Sequence, residues 1–198
     1  MNARRINRTA LGALLAVVLC GCAQRQLPHH MTNISGLVAP LEFHMTDQDG
    51  APVSAADFRG DVVMLYFGYT HCTDACPTTL ATLADAIAQL GAQAQQVRVL
   101  FVTVDPRRDT VPVLKGYVND FGPQFVGLRG THEQLTDMIK RYRVVYHYEK
   151  PDASGNYEVT HSSAVFIFGR RGRARLLAQT GAPASVLARD LRQLLEHT

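Results

Sequence analysis

The chemistry available to this chain rests on two thiols. Cys72 and Cys76 lie in Phe67-Gly-Tyr-Thr-His-Cys-Thr-Asp-Ala-Cys-Pro77, where the apolar run 62–67 gives way to a helical pattern. The other two cysteines, Cys20 and Cys22, fall in an N-terminal segment that reads as cleavable. The folded part then holds a single dithiol, which points to soft-metal binding, thiol–disulfide chemistry, or both. Residues i and i+4 of a helix share a face, with Cβ atoms roughly 5–6 Å apart. A helix N-terminus also lowers thiol pKa. A helix opening at this pair predicts two thiolates side by side, with room for a metal between the sulfurs and enough slack to close a disulfide. A permanent disulfide or two packed core thiols is the plainer alternative, but an exposed strand-to-helix turn is a poor core site.

Two thiolates leave a soft metal short of donors. His29 and His30 fall in a polar stretch, and His197 lies at the C-terminus. His71 adjoins Cys72 but points elsewhere from a helix start. His132 sits in a capping stretch, and His147 alternates with Tyr146 and Tyr148. His161 stands out because Val159-Thr-His-Ser-Ser163 leads directly into an apolar strand. A loop before a central strand can fold beside the first helix. On the residues alone, His161 is either a third ligand or a hydrogen-bonded loop histidine.

The elements that position these groups follow from hydrophobic periodicity. Strands are predicted at 41–45, 62–67, 97–104, 125–128, 163–168 and 173–178. Helices are predicted at 78–90, 111–121, 131–142 and 183–196, with a single helical turn at 54–58. The segment 144–148 and 157–160 around the 151–156 turn reads as a hairpin. The unbroken apolar runs 62–67 and 97–104 suit strands covered on both faces. Gly91 reads as a helix stop, and Thr131 with Gln134 as a capping box. Right-handed crossovers put 62–67 and 97–104 in one sheet, and ligands gather at the carboxyl ends of such strands. The pattern predicts an α/β fold with a central mixed sheet flanked by helices and an inserted hairpin.

Arg4, Arg5 and Arg8 precede an apolar stretch at 10–19, too short to span a bilayer, and Leu19-Cys20-Gly21-Cys22 follows. This reads as a lipoprotein-type signal peptide over 1–21 with Cys22 as the lipidated residue; an uncleaved anchor is the alternative. Residues 22–38 are polar and aperiodic and read as a membrane tether, and 39–198 as one domain. Either anchor puts the domain in the cell envelope, facing the periplasm, where disulfides persist. The chain carries +3 formal charge; without the three leader arginines the remainder is neutral, which argues against nucleic-acid binding.

Three motifs in order resemble the Sco (SenC) family of copper-binding proteins: Tyr66-Phe-Gly-Tyr-Thr-His-Cys-Thr-Asp-Ala-Cys-Pro-Thr-Thr-Leu80, Val102-Thr-Val-Asp-Pro-Arg-Arg-Asp-Thr110 and Thr160-His-Ser-Ser163. Phe43-His-Met-Thr-Asp-Gln-Asp-Gly50 and Phe58-Arg-Gly60 add to it, and the similarity covers about residues 40–195. The resemblance implies a thioredoxin-like fold and copper, as Cu(I) or Cu(II), held by Cys72, Cys76 and His161. It further implies copper delivery to, or thiol reduction of, the acceptor subunit during assembly of the binuclear copper centre of cytochrome c oxidase. A periplasmic copper donor or thiol reductase is the expected further partner. Such a protein is mainly a metallochaperone, with thiol–disulfide oxidoreductase activity as the alternative. Thr73 stands where the family often has Pro, which makes the loop less rigid. Asp105 either hydrogen-bonds near the site, contacts a partner, or fixes the turn before Pro106. A peroxide-scavenging thiol enzyme lacks an evident activating group, and zinc prefers four ligands where three are found.

Overall fold

The computed structural model describes residues 30–197; the leader and Cys22 lie outside the described residues. The strand β4 (Val62–Gly68) organises the rest, and all seven of its residues are buried. It carries no polar alternation because helices cover both of its faces. The main sheet has eight strands in the order β1 (Thr32–Asn33), β10 (Ala174–Ala178), β9 (Val165–Phe168), β4, β5 (Val97–Thr103), β6 (Phe125–Arg129), β2 (His44–Asp47) and β3 (Pro52–Ser54). β4, β5 and β6 run parallel, and the flanking pairs are antiparallel.

Register decides which helix meets which face. Tyr66, Phe101 and Gly127 are aligned across β4, β5 and β6 and share one side of the sheet. The helices α1 (Ala75–Ala88) and α2 (Val111–Asn119) cover that side. Leu114 of α2 lies so close over Gly127 that an added Cβ would stand 2.5 Å from its Cγ. The C-terminal helix α4 (Ala184–His197) packs beside α1. The helix α3 (His132–Tyr142) takes the other side, where the Tyr142 ring meets Phe67, Phe166 and Phe168 at centroid distances of 6.3, 5.7 and 5.7 Å. Its predicted capping box is present: Thr131 accepts from the Gln134 N–H, and the Gln134 side chain accepts from the Thr131 N–H. The strands β7 (Tyr146–Tyr148) and β8 (Val159–His161) form the separate inserted hairpin.

Four local expectations change. Helix α1 begins at Ala75, so Cys72 precedes it and the two cysteines do not share a helical face. Pro77 explains this: a proline fits the first turn, but deeper inside it would clash with the carbonyl four residues back. The strand expected at 41–45 begins at His44 instead, because the Leu41 N–H bonds Gly172 and the Glu42 N–H bonds the Tyr142 hydroxyl, away from any ladder. Gly91, read as the stop of a helix reaching residue 90, instead opens a 3-10 turn over Gly91–Gln96 at φ +58°, and α1 ends at Ala88. Finally, residues 30–38, read as tether, are packed on the domain. β1 pairs with β10, Met31 and Ile34 are buried, and the buried Asp190 carboxylate accepts from the His30 and Met31 N–H groups at 2.8 Å each.

Removing that carboxylate strands two backbone donors. Asp190→Ala is expected to cost about 1–3 kcal/mol in urea unfolding and to open a new limited-proteolysis cut near residues 30–38.

Candidate metal centre

Three segments meet beyond the carboxyl end of β4. The first is the turn after it, where the Cys72 N–H bonds the Tyr69 carbonyl at 3.3 Å. Asp109, fully buried near the end of the β5–α2 connection, anchors this turn. Its carboxylate accepts from the Thr70 N–H at 3.0 Å and the Thr70 hydroxyl at 2.6 Å, and it also takes the Thr103 hydroxyl. The second is the first turn of α1, which carries Cys76 with no exposed surface. The third is the last residue of β8, His161. Its Nε2 lies 3.2 Å from Cys76 Sγ, and the ligating atoms of Cys72, Cys76 and His161 all lie within 4.8 Å of one another. Bonds of about 2.0–2.3 Å to nitrogen and sulfur place three donors about 3.5–4 Å apart, so the cluster matches one metal ion after small adjustments.

Each donor is tuned by its surroundings. His161 Nδ1 sits 3.0 Å from the Ser162 carbonyl, which places the ring proton on Nδ1 and leaves the Nε2 lone pair facing the sulfurs. Burial holds its pKa below the ordinary imidazole value, only partly offset by the Ser162 carbonyl. The ring is clamped edge-on between Tyr66 and Tyr69, at centroid distances of 6.0 and 5.9 Å. The Tyr69 hydroxyl donates to Glu158 on the approach to β8. Burial pushes the Cys76 thiol up to about 12; the Tyr69 backbone N–H and the Tyr66 hydroxyl pull the other way, and Cys72 adds to the rise. The expectation of a lowered thiol does not hold for Cys76, because desolvation outweighs the hydrogen bonds that favour its thiolate. Cys72 differs in position: its sulfur accepts from the Cys76 N–H at 3.3 Å, and the residue borders an open depression of about 350 Å³ with Thr73, Glu158 and His161. Both cysteines are free. A wider cleft of about 700 Å³, between Leu37 and Arg173, has no thiol or imidazole on its walls.

The other sequence candidates fall elsewhere. His71 is 47% exposed, 3.1 Å from the Thr70 hydroxyl, and outside the cluster. Asp105 is buried and touches none of the three donors. It accepts from the Tyr157 hydroxyl at 2.9 Å and from Arg108 Nε, and Arg108 stacks 3.6 Å from the Tyr157 ring centroid. Asp105 thus braces the hairpin that delivers His161. Tyr66, Tyr69, Gly68 and Asp109 were not picked out from the sequence. Alternation along β4 puts Tyr66 and Gly68 on one face and was the available signal for that pair.

The profile of the SCO1/SenC family matches residues 36–196. The chain belongs to that family. It is 42% identical over 133 residues to the bovine mitochondrial SCO2 homolog, covering 66% of this chain and 50% of that protein. A SCO2-like protein of Rickettsia prowazekii is 35% identical over 132 residues, covering 66% of this chain and 64% of the relative. This chain therefore spans about half the length of the mammalian relatives it matches. The solved structure of copper-bound ScoI from Bradyrhizobium japonicum superposes with a TM-score of 0.73 at 32% identity, covering 80% of this chain and 100% of that one. The fold is accordingly the thioredoxin-like fold of the Sco proteins.

Two outcomes test this geometry. An added Cβ at Gly68 would stand 2.7 Å from Phe101 Cε2 and 3.0 Å from Cys76 Sγ, so Gly68→Ala should cost about 1–3 kcal/mol in denaturant unfolding through overpacking. At pH 8, iodoacetamide should modify one thiol of the reduced protein quickly, and Cys72→Ser, not Cys76→Ser, should remove that fast phase.

Proposed function

We propose that this chain is a copper chaperone that loads through Cys72, Cys76 and His161 and hands copper to an acceptor subunit of cytochrome c oxidase. The observation that carries the reading is the convergence of two sulfurs and one imidazole within 4.8 Å at the edge of an open depression. Thiolates favour Cu(I), and imidazole suits both copper states. The copper-bound ScoI proteins of Bradyrhizobium japonicum and Arabidopsis thaliana share the fold and support the choice of metal. Among the described residues no helix is long and apolar enough to cross a membrane. Membrane attachment is assigned to lipidation at Cys22, after removal of 1–21, with the domain facing the periplasm.

Copper is cargo here, so the residues must both hold it and let it go. Cys76 and His161 form a fixed floor: one is buried in α1, the other clamped between two tyrosine rings. Cys72 lies outside the helix and borders the opening, so an incoming thiolate or imidazole of the acceptor meets its side of the site first. Exchange at Cys72 passes the ion without releasing it to water. Proton uptake completes the release, because a Cys76 thiol with a pKa of about 12 recaptures a proton as soon as the metal leaves. Oxidation of the pair to a disulfide removes both thiolates and closes the site to copper.

Competition titration of the reduced protein with Cu(I) is the test. His161→Ala should weaken Cu(I) binding by at least about 100-fold while leaving disulfide exchange with a small dithiol nearly unchanged. If His161→Ala still restores oxidase activity in cells, thiol reduction of the acceptor replaces metal transfer as the function. The pH dependence has a definite sign. Cys76 stays protonated across pH 6.5–8.5, so loading displaces its proton and apparent affinity should rise about tenfold per pH unit for each proton displaced; a flat profile contradicts the buried-thiol geometry.

A further inference from the structure

Tyr66 is buried at the middle of β4, and the alternation of the strand points its side chain at α1. Its hydroxyl donates to Cys76 Sγ at 3.7 Å. The direction of that bond is set on the sulfur's side: the bare Nε2 of His161, 3.2 Å from Cys76 Sγ, accepts the thiol proton, so the sulfur accepts from the phenol. The phenol proton is left with the sulfur as its acceptor, and a buried hydroxyl needs one. A neutral thiol accepts weakly, whereas a thiolate, free or metal-bound, accepts strongly. The bond therefore tightens when the site loses its protons and is loaded.

The two sulfurs are consequently unequal. Cys76 Sγ faces the Tyr69 backbone N–H and the Tyr66 O–H, both fixed and dry, whereas Cys72 borders the depression. Donors aimed at a ligating sulfur draw electron density from it, lower its donation to copper and favour the reduced ion. The Tyr66 ring also meets the His161 ring edge-on at 6.0 Å and 73°, so this one side chain touches two of the three donors.

We propose that Tyr66 is a positioning residue of the metal site whose phenol O–H sets the electron density of the Cys76 sulfur and biases the site toward Cu(I). The inference rests on the copper reading given above. It separates two jobs within one residue: the ring places His161, and the hydroxyl tunes Cys76.

Tyr66→Phe keeps the ring and removes the hydroxyl. In the full-length protein loaded with Cu(II), the thiolate-to-copper charge-transfer band should move to lower energy in Tyr66→Phe. The ratio of Cu(II) to Cu(I) affinity should rise about tenfold, a fall of about 59 mV in the one-electron potential, with copper stoichiometry unchanged. 3-Fluorotyrosine in place of Tyr66 keeps the ring and makes the phenol a stronger donor, and should shift both readouts in the opposite direction. This second variant keeps the test decisive if Tyr66→Phe folds poorly, since a merely structural role for Tyr66 predicts an unmoved band and potential in the fluorotyrosine protein. A normal wild-type band with neither readout moved in the variants overturns this inference alone. A wild-type protein with no thiolate-to-copper band overturns the copper reading, and this inference with it.

Discussion

Cys76 Sγ lies against Gly68 at the carboxyl end of β4, in a space that an alanine methyl would fill at 3.0 Å from the sulfur. Much of the molecule answers to that contact. It brings the first turn of α1 directly over the strand, which buries the sulfur. Burial raises the thiol's pKa and makes metal binding and protonation competitors for the same atom. It also explains why the nearby polar partners are few and fixed: a backbone N–H from Tyr69, the Tyr66 hydroxyl and the bare, accepting Nε2 of His161. In a water-free setting each of these polar groups matters more than it would at the surface.

The parts that hold the site rigid are chemically unlike the site itself. Two buried carboxylates do most of the fastening. Asp109 clips the turn that carries Cys72 to the end of β5 through Thr70 and Thr103, and Asp105 locks Arg108 and Tyr157 together beneath the hairpin that carries His161. Both lie in or next to the connection after β5, so one short segment ties together the two loops that must agree for the cluster to form. Loops are less exact supports than helices or strands; hydrogen bonds to a shared buried anchor restore the precision. Cys72 and His161 border the open depression while Cys76 does not, which suits the ligand exchange proposed for the site.

Much of the architecture could be read from residue patterns. The continuous apolar runs of β4 and β5, the capping box of α3 and the apolar stripe of α4 each follow from local periodicity, and the structure contains them with shifts of a few residues. Local pattern failed where long-range hydrogen bonds or packing decided the outcome. Leu41 and Glu42 look like strand but bond to Gly172 and Tyr142. Residues 30–38 look like linker but are captured by β10 and Asp190. The start of α1 was misplaced even though Pro77, visible in the sequence, restricts where that helix can begin.

By itself the sequence determined the kind of chemistry: a dithiol beside a strand end and, through three ordered motifs, the family and the proposed third ligand. It determined the alternation that puts Tyr66 and Gly68 on one face of β4. It did not determine that Cys76 is dry, that its pKa rises and is not lowered, or that Cys72 stands outside the helix. Those follow from how closely α1 settles onto β4 and how the hairpin folds back across 85 positions of chain to within 3.2 Å. Desolvation and cross-chain distance are properties of packing, and packing is decided jointly by residues far apart in the chain.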